Sequence, residues 1–241
     1  KVVAVTSSLP DEGKSTLTLS LGRMASMSGS RTLVIDGDFR RRQLTEMAEM
    51  DPTHGFIEHL FGEGTLDETI VRDAHSNLDI LPLTREGYTP HDVFGTRAYD
   101  ELMDQLRERY DLILIDTGPL LLMAEARVVS GKADKTVLVA RWRSSSKSTV
   151  RQALSLLGTF KADVLGIALN MVDLTQRRQH GEPGTSYRAF RKYYTSEPKS
   201  GLFSSINFGR SSGPKARPLP EHVTRPVRDA KNEARETEHT S

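Results

Sequence analysis

The 241-residue sequence contains no cysteine, which excludes disulfide frameworks, thiolate metal sites and cysteine nucleophiles. It also lacks any apolar run near the ~20 residues that span a bilayer. Charge of one sign is missing as well. Thirty-three basic residues face 32 acidic ones, a net charge of +1, so bulk electrostatics give no reason to expect a nucleic-acid partner. Apolar residues make up 37% of the chain, low for a compact domain, so part of it is expected to lie outside the core. The seven histidines are scattered without ligand spacing and read as solvated surface. No signal peptide precedes the first apolar run, which begins directly behind Lys1. A start inside a strand, without Met, reads as a piece of a longer polypeptide whose upstream part could hold a membrane anchor.

What is present is alternation. Lys1–Thr6, Arg31–Asp36, Leu78–Leu81, Asp111–Asp116, Lys135–Ala140 and Val164–Asn170 are short runs with the composition of buried strands. Helical stretches lie between them, including one from Ser15 to the stop at Gly29, Tyr99–Arg109 and Ser148–Phe160. Leu17, Leu21, Met24 and Ser28 share one face of the first helix. The fold class expected is α/β, a mostly parallel sheet with helices on both faces and ligands beyond the C-terminal strand ends. After about Glu197 periodicity ends, and residues 199–241, rich in Pro, Gly, Ser and charge, read as a disordered tail. Residues 1–180 form the expected domain, and residues 181–198 a separate C-terminal segment.

Three motifs carry chemistry. Ser8-Leu9-Pro10-Asp11-Glu12-Gly13-Lys14-Ser15-Thr16 lies between a strand and a helix and ends in the GK[ST] core of a P-loop. Such a loop needs backbone N–H groups around phosphate, a lysine for the terminal phosphates and a hydroxyl for Mg²⁺. The strict pattern places glycine six residues before the lysine; Ser8 stands there. Asp36-Gly37-Asp38, at the end of the next strand, sends two carboxylates out on the same side. They can reach a metal or accept a proton, although solvated loop acids would look the same. Leu112–Asp116 is a run of four aliphatics ending in an acid, the form of a Walker B strand whose aspartate holds the Mg²⁺ shell.

SSLPDEGKST, VIDGDFRRRQL and LILIDTGP together resemble the Walker A, A′ and B motifs of the bacterial protein-tyrosine kinases (BY-kinases) associated with exopolysaccharide and capsule export. The resemblance runs through GFIEHLFGEG, NLDILP and GIALNMVD and covers about Lys1–Asp173. It implies a P-loop NTPase fold of the MinD/ParA-like three-layer kind. It also implies Mg-ATP as cofactor and autophosphorylation on tyrosine between neighbouring subunits. Cell-division and partition ATPases of the same fold carry a second lysine early in the loop; Leu9 occupies that place here and favours the kinase branch.

Carried over, Lys14 neutralises the β- and γ-phosphates within a cradle formed by Pro10, Asp11, Glu12, Gly13, Lys14, Ser15 and Thr16. Ser15 binds Mg²⁺, and Asp116 and Asp36 complete or orient its shell. Asp38 is the candidate base for the tyrosine hydroxyl, and Arg40 contacts phosphate or a neighbouring subunit. Asn170 resembles the residue that reads the adenine edge, with Asp173 beside it, although a strand-end cap is an equal reading. Tyr187, Tyr193 and Tyr194 are the implied phosphoacceptors; Tyr187, Phe190 and Tyr194 also fit the face of a packing helix. Arg42, Gly118, Glu125 and Asp11 depart from the family's usual Pro, Pro, Asp and Gly, and Asp11 sets a carboxylate near the phosphate site. By resemblance, the partners are further copies of the chain and a membrane-spanning chain-length segment at the cytoplasmic face of the inner membrane. The competing readings are a partition-type ATPase and an ATP-gated adaptor without catalysis.

Overall fold

The computed structural model describes residues 1–84 and 93–173. Seven strands form one sheet in the order β3-β4-β2-β5-β1-β6-β7. In chain order they are β1 (Val2–Ser7), β2 (Thr32–Gly37), β3 (Val71–Arg72), β4 (Asp79–Leu81), β5 (Leu112–Pro119), β6 (Lys135–Arg141) and β7 (Val164–Asn170). Every described pairing is parallel except the short edge pair β3–β4. The helices are α1 (Lys14–Met27), α2 (Gln43–Met47), α3 (Phe56–Leu60), α4 (Leu66–Thr69), α5 (Arg97–Arg109), α6 (Ala124–Lys132) and α7 (Lys147–Thr159). All six strands expected from the sequence are present, and the added strand β3 is too short to leave a periodic signal.

Alternation along each central strand divides the core. Leu33 and Ile35 of β2 and Ile113 and Ile115 of β5 face α5 and α6, whereas Val34 and Leu114 face Leu19 of α1 and Leu44 of α2. A third cluster joins Leu138 of β6 to Ala153 and Leu157 of α7. These layers cover both sides of the central strands, as a parallel sheet requires.

The structure fixes the buried face of α1 and corrects one expected strand end. The buried face of α1 is Thr18, Leu19, Gly22 and Ser26, while Leu21 and Met24 are 38% and 67% exposed. The reason is close approach: a Cβ on Gly22 would lie 2.6 Å from Val34 Cγ2, so small residues set the helix against the sheet and displace the long apolar row outward. Asp116 is also not the end of its strand, because β5 continues through Pro119 beside Ser7 of β1. The 181–198 segment, the 199–241 tail and Tyr187, Tyr193 and Tyr194 lie outside the described residues.

Candidate nucleotide-binding site

Strands β2, β5 and β1 are neighbours, so Asp36, Asp116 and the loop after Ser7 emerge side by side. Gly13 stands at the N-cap of α1 with φ +85°, a conformation for which glycine is suited. A Cβ there would also lie 2.2 Å from Asn170 Nδ2, so a side chain at 13 would push the Asn170 amide aside. The first turn of α1 carries no acidic residue, and no side chain caps it. Its first N–H groups therefore lack intrahelical acceptors and present the positive end of the helix dipole, the arrangement that binds phosphate. Asp11, where the family usually has glycine, has φ +62°, which aspartate tolerates better than most residues. Its carboxylate is turned out to Arg41 at 2.6 Å. Leu9, in the place of the signature lysine, is 38% exposed.

The acidic residues occupy distinct environments. Lys14 Nζ donates to Asp38 Oδ2 at 2.7 Å inside the protein and lies 3.4 Å from Ser15 Oγ. Asp36 Oδ2 accepts from Thr45 N at 2.9 Å and Thr45 Oγ1 at 2.7 Å, and its Oδ1 accepts from Asp38 N. Burial nonetheless pushes Asp36 up to about 6, the Thr45 hydrogen bonds opposing it. Asp116 is pushed to about 7, first by burial and also by Asp36 and Asp38, with Lys14 and the Ser15 hydroxyl pulling it down. One oxygen of Asp116 faces Thr18 Oγ1 at 3.5 Å, and the other, Oδ2, is buried without a hydrogen-bond partner.

That orphaned oxygen, beside the Ser15 hydroxyl, fits a hard divalent cation. Among the described residues no three carboxylate or imidazole groups form a ready-made metal cage. One carboxylate oxygen and one hydroxyl would suit a cation such as Mg²⁺, which takes one or two protein oxygens and fills its other positions with phosphate and water.

Asn170 closes the site from β7. Its Nδ2 donates to Glu12 O at 3.0 Å and approaches Gly13 O at 3.4 Å, while its Oδ1 accepts from Met171 N. It thus ties the strand end to the P-loop. Asp173 lies three residues past Asn170 and is half-buried. Arg40 and Thr16 are exposed at the rim, and Pro10 is half-buried.

Several supporting contacts leave no trace in local sequence patterns. The Glu12 carboxylate accepts from Leu9 N at 2.9 Å and from Ser145 Oγ, and Ser145 Oγ in turn accepts from Arg141 N. Thr45 is the anchor of Asp36. Arg42 has φ +47°, which proline cannot adopt, and donates Nε and NH2 to Leu83 O at 3.1 and 2.9 Å. Its replacement of the family's proline is thereby explained.

A glycine-nicked strand-to-helix loop, a buried lysine and an orphaned Walker B carboxylate on a parallel sheet define a P-loop nucleotide-binding protein. The profile of the AAA domain family matches residues 1–167. The succinoglycan biosynthesis transport protein ExoP of Rhizobium meliloti is 30% identical over 200 residues, 80% of this chain but 25% of that protein. The tyrosine-protein kinase YwqD of Bacillus subtilis is 27% identical, over 80% of this chain and 81% of its own length. The crystal structure of the VpsO kinase domain superposes with a TM-score of 0.65 at 30% identity, covering 71% of this chain and 85% of that one. A MinD structure from Aquifex aeolicus, 20% identical, shares the fold, with a TM-score of 0.61 and coverage of 74% of this chain and 72% of its own. The chain belongs to the bacterial tyrosine-kinase family of AAA-type P-loop domains. It spans about a quarter of the length of ExoP.

Proposed function

We propose that this chain is the catalytic domain of a Mg-ATP-dependent protein-tyrosine autokinase acting in exopolysaccharide or capsular polysaccharide production. The observation that carries the reading is the buried contact between Lys14 and Asp38. It sets a carboxylate at the point where the P-loop lysine meets a terminal phosphate. Bound Mg-ATP supplies the phosphoryl group and the charge that draws Lys14 away. Lys14 then donates to phosphate oxygens, and Asp38 is released to accept the proton of an incoming tyrosine hydroxyl. The phenolate oxygen forms the new bond to phosphorus as the bridging oxygen departs with ADP. Asp116 and Ser15 hold the metal, and Asp36, fixed by Thr45, orients the strand end that presents Asp38.

The acceptors proposed are Tyr187, Tyr193 and Tyr194 of another copy, with Arg40 at the rim meeting the incoming segment. Each phosphate adds about −1.5 to −2 charges to a segment bearing Arg188, Arg191 and Lys192, so phosphorylation would loosen docking between copies. Asn170 and Asp173 border the adenine end. The partners proposed are sister subunits and a membrane-spanning chain-length segment, with the domain on the cytoplasmic face of a bacterial inner membrane. No helix among the described residues is long and apolar enough to cross a membrane itself.

The test is incubation of the chain with Mg-ATP, with phosphotyrosine mapped by mass spectrometry and K14M as control. Phosphate on any of the three tyrosines, absent from the control, supports the kinase. ATP turnover without phosphotyrosine would replace it with a partition-type ATPase, and nucleotide binding without turnover with an adaptor.

A further inference from the structure

A cavity of about 410 Å³ lies at the end of the sheet away from the P-loop. Thr32 and Asp79, the first residues of β2 and β4, line it, whereas Asp36 lies near the other end of β2. Helix α1 spans the same distance. Lys14, its first residue, belongs to the nucleotide site, and Ser26, in its last turn, lines the cavity. At the rise of an α-helix those two residues are about 18 Å apart. A compound in the cavity is therefore separate from a nucleotide on the P-loop.

Its lining is basic. Arg31, Arg72 and Arg109 contribute three guanidiniums against the single carboxylate of Asp79, a net charge of +2. Both oxygens of Asp79 are already engaged: Oδ1 by Arg72 Nε at 3.1 Å and Oδ2 by the Tyr110 hydroxyl at 3.0 Å. Asp111 takes Nε and Nη2 of Arg31, and Asp67 takes Nη1 of Arg109, both from outside the lining and both as exposed pairs. Exposed pairs of this kind are weak, and a guanidinium has five N–H donors, so all three arginines keep donors for a further anion. The negative end of α1 does not oppose one, because Gly29 N and Ser30 N fold back onto Ser26 O and Ala25 O.

We propose that this cavity is a second ligand site, which takes a small phosphorylated polyol of the sugar-phosphate class. Guanidiniums match phosphate oxygens in geometry and charge, and such bonds are among the stronger ones. The volume lies within the range of small-molecule sites and exceeds what inorganic phosphate fills. Ser30 and Asn77, on the accessible part of the lining, add a hydroxyl and an amide suited to the hydroxyl groups of a sugar. The inference is independent of the P-loop assignment and of tyrosine transfer.

The experiment measures binding of glucose 1-phosphate, glucose and inorganic phosphate to the full chain by calorimetry, with excess Mg-ADP present to occupy the P-loop. R31Q and R109Q are compared with wild type and with R97Q, which alters an exposed arginine paired to Glu101 outside the cavity. Thermal midpoints confirm that each variant is folded. The expected result is one glucose 1-phosphate per chain, bound about tenfold more weakly by R31Q and by R109Q and equally well by R97Q. Glucose and inorganic phosphate each bind at least about tenfold more weakly than glucose 1-phosphate, since each lacks half of the contacts. No saturable binding, undiminished affinity in R31Q and R109Q, or an equal loss in R97Q would overturn the site. Inorganic phosphate bound as tightly as the sugar phosphate would overturn the ligand class.

Discussion

At the residue scale, the proposed reaction turns on one buried ion pair changing partners. Lys14 and Asp38 neutralise each other in a space where neither charge is tolerated alone. In the proposed reaction, a phosphate that took Lys14 would leave the Asp38 carboxylate free to act as base. D38N keeps a hydrogen-bonding side chain of the same shape but cannot take a proton. It is expected to bind Mg-ATP within a few-fold of wild type while phosphotyrosine formation falls about 10²- to 10⁴-fold, as removal of a general base does. Calorimetry and phosphotyrosine mapping check the two halves, and undiminished phosphorylation would remove Asp38 as base. Gly13 is the second critical residue. G13A must carry a Cβ at φ +85° and within 2.2 Å of Asn170 Nδ2, so the variant loses the Asn170 tie and most nucleotide affinity. Equilibrium dialysis with labelled ATP would reveal the loss, and wild-type affinity would mean that the loop relaxes freely. Lys14, Asp38 and Asp116 were legible in the sequence because each belongs to a motif beside an apolar run, and β1, β2 and β5 are adjacent strands. The Glu12–Ser145 bond was not, because it joins residues 133 positions apart, and no local pattern records that β6 passes the P-loop.

At the scale of elements, the strands were legible and the helix faces were not. Runs such as Leu112–Ile115 are buried on both sides, so their apolar continuity reports the sheet directly. Helix α1 departs from the usual rule because Gly22 and small polar residues face the sheet and its longest apolar side chains face out. G22V would drive a branched side chain into Val34 and is expected to lower unfolding free energy by about 1–3 kcal/mol in urea titration. Met24→Glu, on the outward row of apolar side chains, is expected to change it by less than about 0.5 kcal/mol. The reverse order of effects would restore Leu17, Leu21 and Met24 as the packed face.

For the whole molecule, the site is a reservoir of unfavourable charge held by the fold. Asp36 and Asp116 titrate at about 6 and about 7 against an ordinary value of 3.8. The native state therefore keeps protons that the unfolded chain has released, and stability falls as pH rises wherever this holds. The penalty is absent below about pH 4, grows between about 4 and 7, and is constant above. Asp134 acts in the opposite sense, since the Arg107 guanidinium holds it at about 2, but its contribution is lost below pH 4 and leaves the higher window to the buried pair. D116N removes one of the two charges. Without nucleotide, its thermal midpoint should match wild type most closely below about pH 4 and exceed it increasingly toward pH 7.5, by an amount equivalent to a few kcal/mol. Melting curves across that range check the prediction, and parallel curves would show that Asp116 ionises as freely in the fold as in water. Saturating Mg²⁺ and ATP should narrow the gap, because a cation at Asp116 Oδ2 stabilises the charge that burial disfavours, and wild type alone retains that charge.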